Sequence, residues 1–173
     1  VAKFASPTDV AIDSAGEIYV ADAQNHRVRR VTSGGQVIAL AGSGTAGFAE
    51  GAGGSAQFSS PVGIALDGTG NVFVADRGNH RIRRITPGGV VSTHAGSGIA
   101  GRVDSPTGAL MPATLTQFKN PAAIAAGGGT GVLHVADTGN HSLRKIERAE
   151  PRAIAATSSP LLVEPPGSFT SNT

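Results

Sequence analysis

One ten-residue stretch occurs three times in this chain. Residues 20–29 read Val-Ala-Asp-Ala-Gln-Asn-His-Arg-Val-Arg, residues 74–83 read Val-Ala-Asp-Arg-Gly-Asn-His-Arg-Ile-Arg, and residues 135–144 read Val-Ala-Asp-Thr-Gly-Asn-His-Ser-Leu-Arg. A side chain that performs chemistry is needed once, whereas one that builds a scaffold is needed once per structural unit. Threefold recurrence of the most polar motif therefore points to scaffold, and a sustained period is the signature of a repeat architecture. Asp22, Asp76 and Asp137 are 54 and 61 residues apart, while Pro7, Pro61 and Pro121, like Phe4, Phe58 and Phe118, are 54 and 60 apart. The second interval is longer because the loop of residues 96–121 has six more residues than that of 42–61, and residues 127–131 add one more.

Each unit reads as four short strands. In the first they are 9–12, 17–21, 27–32 and 36–41; in the second, 63–66, 71–75, 81–86 and 90–95. Val, Ile and Phe fill these runs, and Gly, Pro, Asp and Asn bound them. No window carries a 3.6-residue apolar period, so no long helix is expected. The Ser33-Gly-Gly and Pro87-Gly-Gly segments suit tight turns with a residue at positive φ. Gly78 and Gly139 share a slot with Gln24, which suggests a left-handed backbone there. Asp22, Asp76 and Asp137 are placed to accept backbone N–H groups across the following hairpin.

Four-stranded units repeated radially are the blades of a β-propeller. The repeated Pro, Val-Ala-Asp and Asn-His-x-φ-Arg elements resemble the NHL repeat family, whose tripeptide stands here at Asn25, His26 and Arg27, at Asn79, His80 and Arg81, and at Asn140, His141 and Ser142. The resemblance covers about residues 4–148. The third unit departs most: Ser142 replaces a basic residue, and Gly127 stands where Asp13 and Asp67 stand in the others. The expected fold is all-β, an NHL-type β-propeller of three four-stranded antiparallel blades, about 4–57, 58–117 and 118–156. Residues 152–155 are a weak fourth strand of the last blade, and the Pro/Ser/Thr-rich tail at 157–173 is expected to be disordered.

With 173 residues, 25 Gly and 10 Pro, the chain suits one turn-rich domain whose core is Val, Ile, Ala and Leu. It has no cysteine, which removes disulfide and thiolate chemistry without identifying a compartment. No apolar run approaches the roughly 20 residues of a membrane-spanning helix, and nothing at Val1 reads as a signal peptide. Propellers typically have about 4–8 blades, so three do not close. The chain is therefore half of a six-bladed ring completed by a second copy, a fragment of a longer propeller, or an open arc with two exposed sheet faces.

The candidate sites are weighed against structural roles. Eight of the fourteen Lys and Arg lie on third strands: Arg27, Arg29, Arg30, Arg81, Arg83, Arg84, Arg144 and Lys145. They would suit RNA or another polyanion, as the resemblance to TRIM-NHL proteins also implies. Yet the seven-residue spacings Asp22 to Arg29, Asp76 to Arg83 and Asp137 to Arg144 favour internal pairing, and stacking aromatics are missing beside them. The blade motif of Asp22, Asn25, His26, Arg29, Asp76, Asn79, His80, Arg83, Asp137, Asn140, His141 and Arg144 is read as structural. The propeller enzymes that the resemblance brings in are peptidyl-α-hydroxyglycine lyases and gluconolactonase-like proteins. Their metal ligands find no place on the first strands, which hold no His, so such an activity would require ligands in further blades. Asp9, Asp13 and Asp67 read as turn caps rather than calcium ligands. The Gly-rich segments at 42–47 and 96–101 match G-x-G-x-x-G but lead to a strand rather than a helix, so they are inter-blade crossovers. No catalytic residue, metal or cofactor is assigned. The reading is a non-catalytic scaffold that binds a protein, or further blades, through its loops. The insertion at 101–117 is the best binding candidate, with Arg102, Asp104, Leu110 and Met111.

Overall fold

The computed structural model describes residues 3–104, 112–127 and 132–147, with no side-chain description for Glu147. The chain is all-β, with antiparallel strands in three sheets that follow one another along the sequence. Blade one has β1 (Pro7–Ile12), β2 (Ile18–Asp22), β3 (Arg27–Val31) and β4 (Val37–Ala41), in that spatial order. Blade two has β6 (Pro61–Leu66), β7 (Val72–Asp76), β8 (Arg81–Ile85) and β9 (Val90–Ala95), with β5 (Gly51–Ala52) on its outer edge. Blade three has β10 (Pro121–Ala126), β11 (Val132–Asp137) and β12 (Ser142–Glu147).

Blades one and two thus contain the expected strands, most within a residue of the expected bounds. Blade two has five strands rather than four, because the crossover from blade one lays Gly51 and Ala52 against Val91 and Val90 of β9. The expected fourth strand of blade three, at 152–155, and the tail at 157–173 lie outside the described residues.

The turns follow from side-chain chemistry. Between β6 and β7, Asp67 Oδ1 accepts from the N–H groups of Thr69 and Asn71, both at 2.9 Å. Between β1 and β2, Asp13 Oδ1 accepts from Ala15 and Glu17, also at 2.9 Å. Both aspartates are therefore turn caps, as expected. Between β3 and β4, and between β8 and β9, the residues at positive φ are Gly35 and Gly89, at 79° and 81°.

The turn between β2 and β3, and its counterparts, differs from expectation. A single 3₁₀ turn ends on His26, His80 or His141, and these histidines adopt the left-handed conformation, with φ of 51°, 54° and 50°. Gln24, Gly78 and Gly139 do not. Glycine is needed at 78 for room: a Cβ there would lie 2.4 Å from Ser59 Oγ and 2.9 Å from its carbonyl oxygen.

Blades stack face to face through two clusters. Tyr19, Ala21, Val28 and Ala41 of blade one pack with Phe58, Ile64, Val72, Val74 and Ile85 of blade two. Ala65, Phe73, Ala75 and Ile82, from the other face of blade two, pack with Phe118, Ile124, Leu133, Val135 and Ile146 of blade three. The first strands β1, β6 and β10 lie side by side in that order. Successive turns alternate between two ends of the structure. One end carries the β2–β3 type turns and the crossovers and is called the crossover end below; the opposite end carries the β1–β2 and β3–β4 type turns.

Candidate functional site

Asp76 and Arg83 form the centre of a node at the crossover end. Asp76 Oδ2 accepts from Arg83 Nη1 at 3.0 Å and Asn79 Nδ2 at 2.8 Å, and Oδ1 accepts from the Ser59 N–H at 2.8 Å. The Arg83 guanidinium also donates to the carbonyls of Gln57 and Ala49. Burial pushes the Asp76 carboxyl above its ordinary 3.8, while the bonds from Asn79 and Ser59 and the charge of Arg83 act against it. Blade three repeats the node: Asp137 accepts from Arg144, Asn140 and the Lys119 N–H, and Arg144 donates to Gln117 and Val103. In blade one Asp22 accepts from Arg29 Nε at 3.1 Å, from Asn25 and from the Ala5 N–H.

All three Asp–Arg pairings are as expected. The backbone donors to the aspartates come instead from the segment preceding the blade's first strand, because that segment passes directly over the carboxylate. Two consequences follow. Arg29, Arg83 and Arg144 are committed inside blades, which removes them from any basic face. The node also ties each crossover to the blade it enters, which explains why the motif recurs once per blade.

The histidines have a role that recurrence alone did not disclose. His26 Nδ1 accepts from the Ser60 N–H at 3.1 Å, and His80 Nδ1 accepts from the Asn120 N–H at 3.1 Å. Each bond runs from one blade to the next. Ser60 and Asn120 have φ of 50° and 51° and precede the proline that opens the next first strand. The crossover passes close over the same turn, since a Cβ on Gly42 would sit 2.5 Å from the His26 carbonyl oxygen.

The first strands are joined by Asp9 Oδ2, which accepts from the Ile64 N–H at 2.9 Å, and by Thr8, whose hydroxyl donates to the Val62 carbonyl at 2.9 Å. Among the described residues, no three His, Asp or Glu side chains converge as a metal site would require.

The crossover end is the other distinctive surface. Among the described residues and outside the buried nodes, it carries Lys3, Arg27, Arg77, Arg81, Arg102 and Lys119 against the acids Glu50 and Asp104, six cations to two acids. Among the described residues, the opposite end carries Arg30, Arg84 and Lys145 against Asp13, Glu17, Asp67 and Glu147, three cations to four acids. Arg81 lies 3.9 Å over the ring of Phe48, and its Nη2 donates to the Ser97 carbonyl at 2.7 Å. Phe48 is 44% exposed and Ile99, two residues beyond Ser97, is 63% exposed. This aromatic was missed because Phe48 falls in a crossover, outside the blade periodicity; the signal was an aromatic residue in a chain with few.

Of the candidate loop residues, Arg102 is exposed and Asp104 forms an ion pair with Arg144. Val103 and Gln117 bridge the base of the insertion. Leu110 and Met111 lie outside the described residues.

Comparison with known proteins agrees with this geometry. The NHL repeat model matches residues 4–31 and 58–85. The chain is 30% identical over 158 residues to human NHL repeat-containing protein 2, covering 84% of this chain and 21% of that protein. It is 42% identical over 82 residues to Protein SUPPRESSOR OF QUENCHING 1, chloroplastic, of Arabidopsis thaliana, covering 46% of this chain and 8% of that protein. Among solved structures, an auxiliary nutrient binding protein from Bacteroides thetaiotaomicron VPI-5482 superposes with a TM-score of 0.68 at 22% identity, over 79% of this chain and 36% of that one. The chain therefore spans about a fifth or less of these two relatives and about a third of the solved structure.

Proposed function

Since the chain belongs to the NHL repeat family, we propose that it is a non-catalytic β-propeller scaffold that binds an acidic protein segment across its crossover end. The blade motif is spent on holding blades together, so binding falls to the loops, which vary while the blades stay fixed.

The observation that carries this reading is the charge asymmetry between the two ends among the described residues: six cations to two acids at one, three to four at the other. A one-sided field steers an oppositely charged partner and raises its association rate. Phe48 and Ile99 add exposed apolar area beside Arg81, the combination of aromatic, aliphatic and Arg that protein interfaces favour. Nucleic acid fits less well, because Phe48 already has Arg81 stacked over its ring, and the other exposed Phe among the described residues, Phe4, lies in a different segment, before β1 of blade one.

A peptide display library panned against the chain tests the reading, with the double variant Arg77→Glu/Arg102→Glu as counter-selection. Recovered peptides are expected to be acidic with an aromatic or aliphatic anchor, and to bind more weakly in higher salt. Peptides without acidic enrichment, or retained equally by the double variant, would refute it. Tight binding of a short single-stranded RNA, measured by fluorescence anisotropy and abolished by the same variant, would replace the protein partner with a polyanion.

A further inference from the structure

We infer that the two internal blade joints are proton-sensitive latches: His26 and His80 tie adjacent blades together only while Nδ1 carries no proton, so acid loosens blade two on both of its sides.

The direction of the two bonds fixes the chemistry. The Ser60 N–H reaches His26 Nδ1, and the Asn120 N–H reaches His80 Nδ1, each at 3.1 Å. A backbone N–H only donates, so the ring nitrogen facing it must offer a lone pair. A neutral imidazole offers one when its proton sits on Nε2; an imidazolium has an N–H at both nitrogens. Protonation therefore sets two donors against each other across the joint, and the bond is lost rather than weakened. Both histidines are half-buried, so solvent protons reach them.

The surroundings do not offset the added charge. Around His26 stand Asp22 and Arg27 of its own turn, Lys3 of the segment entering blade one, and Asp9 of β1. Residues 42–43 and 56–62 of the crossover that leaves this turn are uncharged. Around His80 stand Asp76, Arg77 and Arg81 of its own turn and Lys119 of the crossover leaving it, while β6 and β10 hold no charge. The acids are already engaged. Asp22 takes Arg29, Asn25 and the Ala5 N–H; Asp76 takes Arg83, Asn79 and the Ser59 N–H. Asp9 takes the Val10 and Ile64 N–H groups, and Glu50, near Arg81, takes the Thr93 N–H. The cations nearby repel an imidazolium.

Each latch also holds a strained backbone. Ser60 and Asn120 have φ of 50° and 51°, a conformation costly for a non-glycine residue, and each precedes the proline that opens the next blade. Loss of the acceptor frees that residue to relax and the joint to part. The joint binds the neutral ring and rejects the charged one. Its contribution is therefore present above the range where histidine titrates, near ~6.5 for a free side chain, and is lost as pH falls through that range.

Long-range proton–nitrogen NMR spectra at about pH 8 read which ring nitrogen carries the proton, and His26 and His80 are expected to carry it on Nε2 alone. Amide exchange at Ser60 and Asn120, corrected for the pH dependence of free-chain exchange, is expected to speed up about tenfold between about pH 8 and about pH 5.5, the loss of one hydrogen bond. The double variant His26→Asn/His80→Asn keeps an acceptor at any pH, because Oδ1 of Asn stands where Nδ1 of His stands and Asn tolerates the left-handed conformation. Its corrected exchange is expected to be the same at both pH values. A proton on Nδ1 of either histidine at the higher pH would overturn the inference. So would corrected exchange that does not change with pH in the parent chain, or a tenfold rise that persists in the Asn variant, which would assign the sensitivity to another group. The first two readings use the unsubstituted chain and stand whether or not the variant folds.

Discussion

Arg83 and Asp76 lie 3.0 Å apart with both side chains wholly withdrawn from solvent, and every carbonyl the guanidinium reaches beyond that pair belongs to the crossover entering the blade. A buried ion pair is weak evidence of net stability, since desolvation offsets its attraction. Its value here is positional: it sets the path of the crossover against the blade.

Asp76→Ala would leave Arg83 charged, buried and unpaired. Removing one partner of such a pair costs about 3–5 kcal/mol. Asp22→Ala is expected to cost less, because Arg29 is partly exposed and solvent can take over. Chemical denaturation of the two variants checks the ranking, and equal losses would remove the buried node as the cause.

Gly78→Ala is expected to destabilise by about 1–3 kcal/mol through overpacking against Ser59. Blade one has Gln24 in this slot and Ala5 where blade two has Ser59. Ser59→Ala should therefore recover part of the loss, and a double-mutant cycle measures the coupling. If the two substitutions are additive, the crowding lies elsewhere.

Acid unfolding should depend on Asp67. Its partial burial would raise the carboxyl, but hydrogen bonds from Asn71 and Thr69 outweigh it and hold the group below 3.8. A carboxyl lowered on folding contributes stability above its unfolded value, and that contribution is lost as pH falls through the folded value. Thermal scans from about pH 5 to 2 should fall less steeply for Asp67→Asn than for the parent. Parallel curves would show that the turn does not discriminate between protonation states.

Shortening 102–116 to the length of the first crossover loop removes Arg102 and Asp104 and is expected to leave the blades folded. Loop closure entropy grows slowly with length, so the cost should stay near 1 kcal/mol, plus the loss of Asp104 from Arg144. Peptide binding at the crossover end should weaken. Unchanged binding would place the contact on Phe48, Arg81 and Ile99 alone.

The strands and blades were legible because Val and Ile alternate between fixed turn residues, and repetition aligned three noisy patterns into one. The Asp–Arg pairs were legible from their constant seven-residue spacing. Other features left little trace. Gly51 and Ala52 have no side chains that announce a strand; they pair because the crossover happens to run beside β9. The left-handed residue was assigned to Gly78 because glycine usually marks such conformations, yet the motif places it on His80, a residue type also enriched there, and reserves glycine for space. The cationic end emerges only when turns 50 residues apart in sequence are gathered on one side, which linear charge counting cannot do.

The two hydrophobic clusters share only blade two, and that has a consequence for how the chain opens. Blade one can detach while the second cluster stays closed, and blade three can detach while the first stays closed, but blade two cannot be released without exposing both. In arrays where each unit touches only its neighbours, local opening is set by the interfaces each unit keeps. Amide protons of β7, whose five residues are all buried, are therefore expected to exchange with solvent more slowly than those of β1, four of whose six residues are exposed.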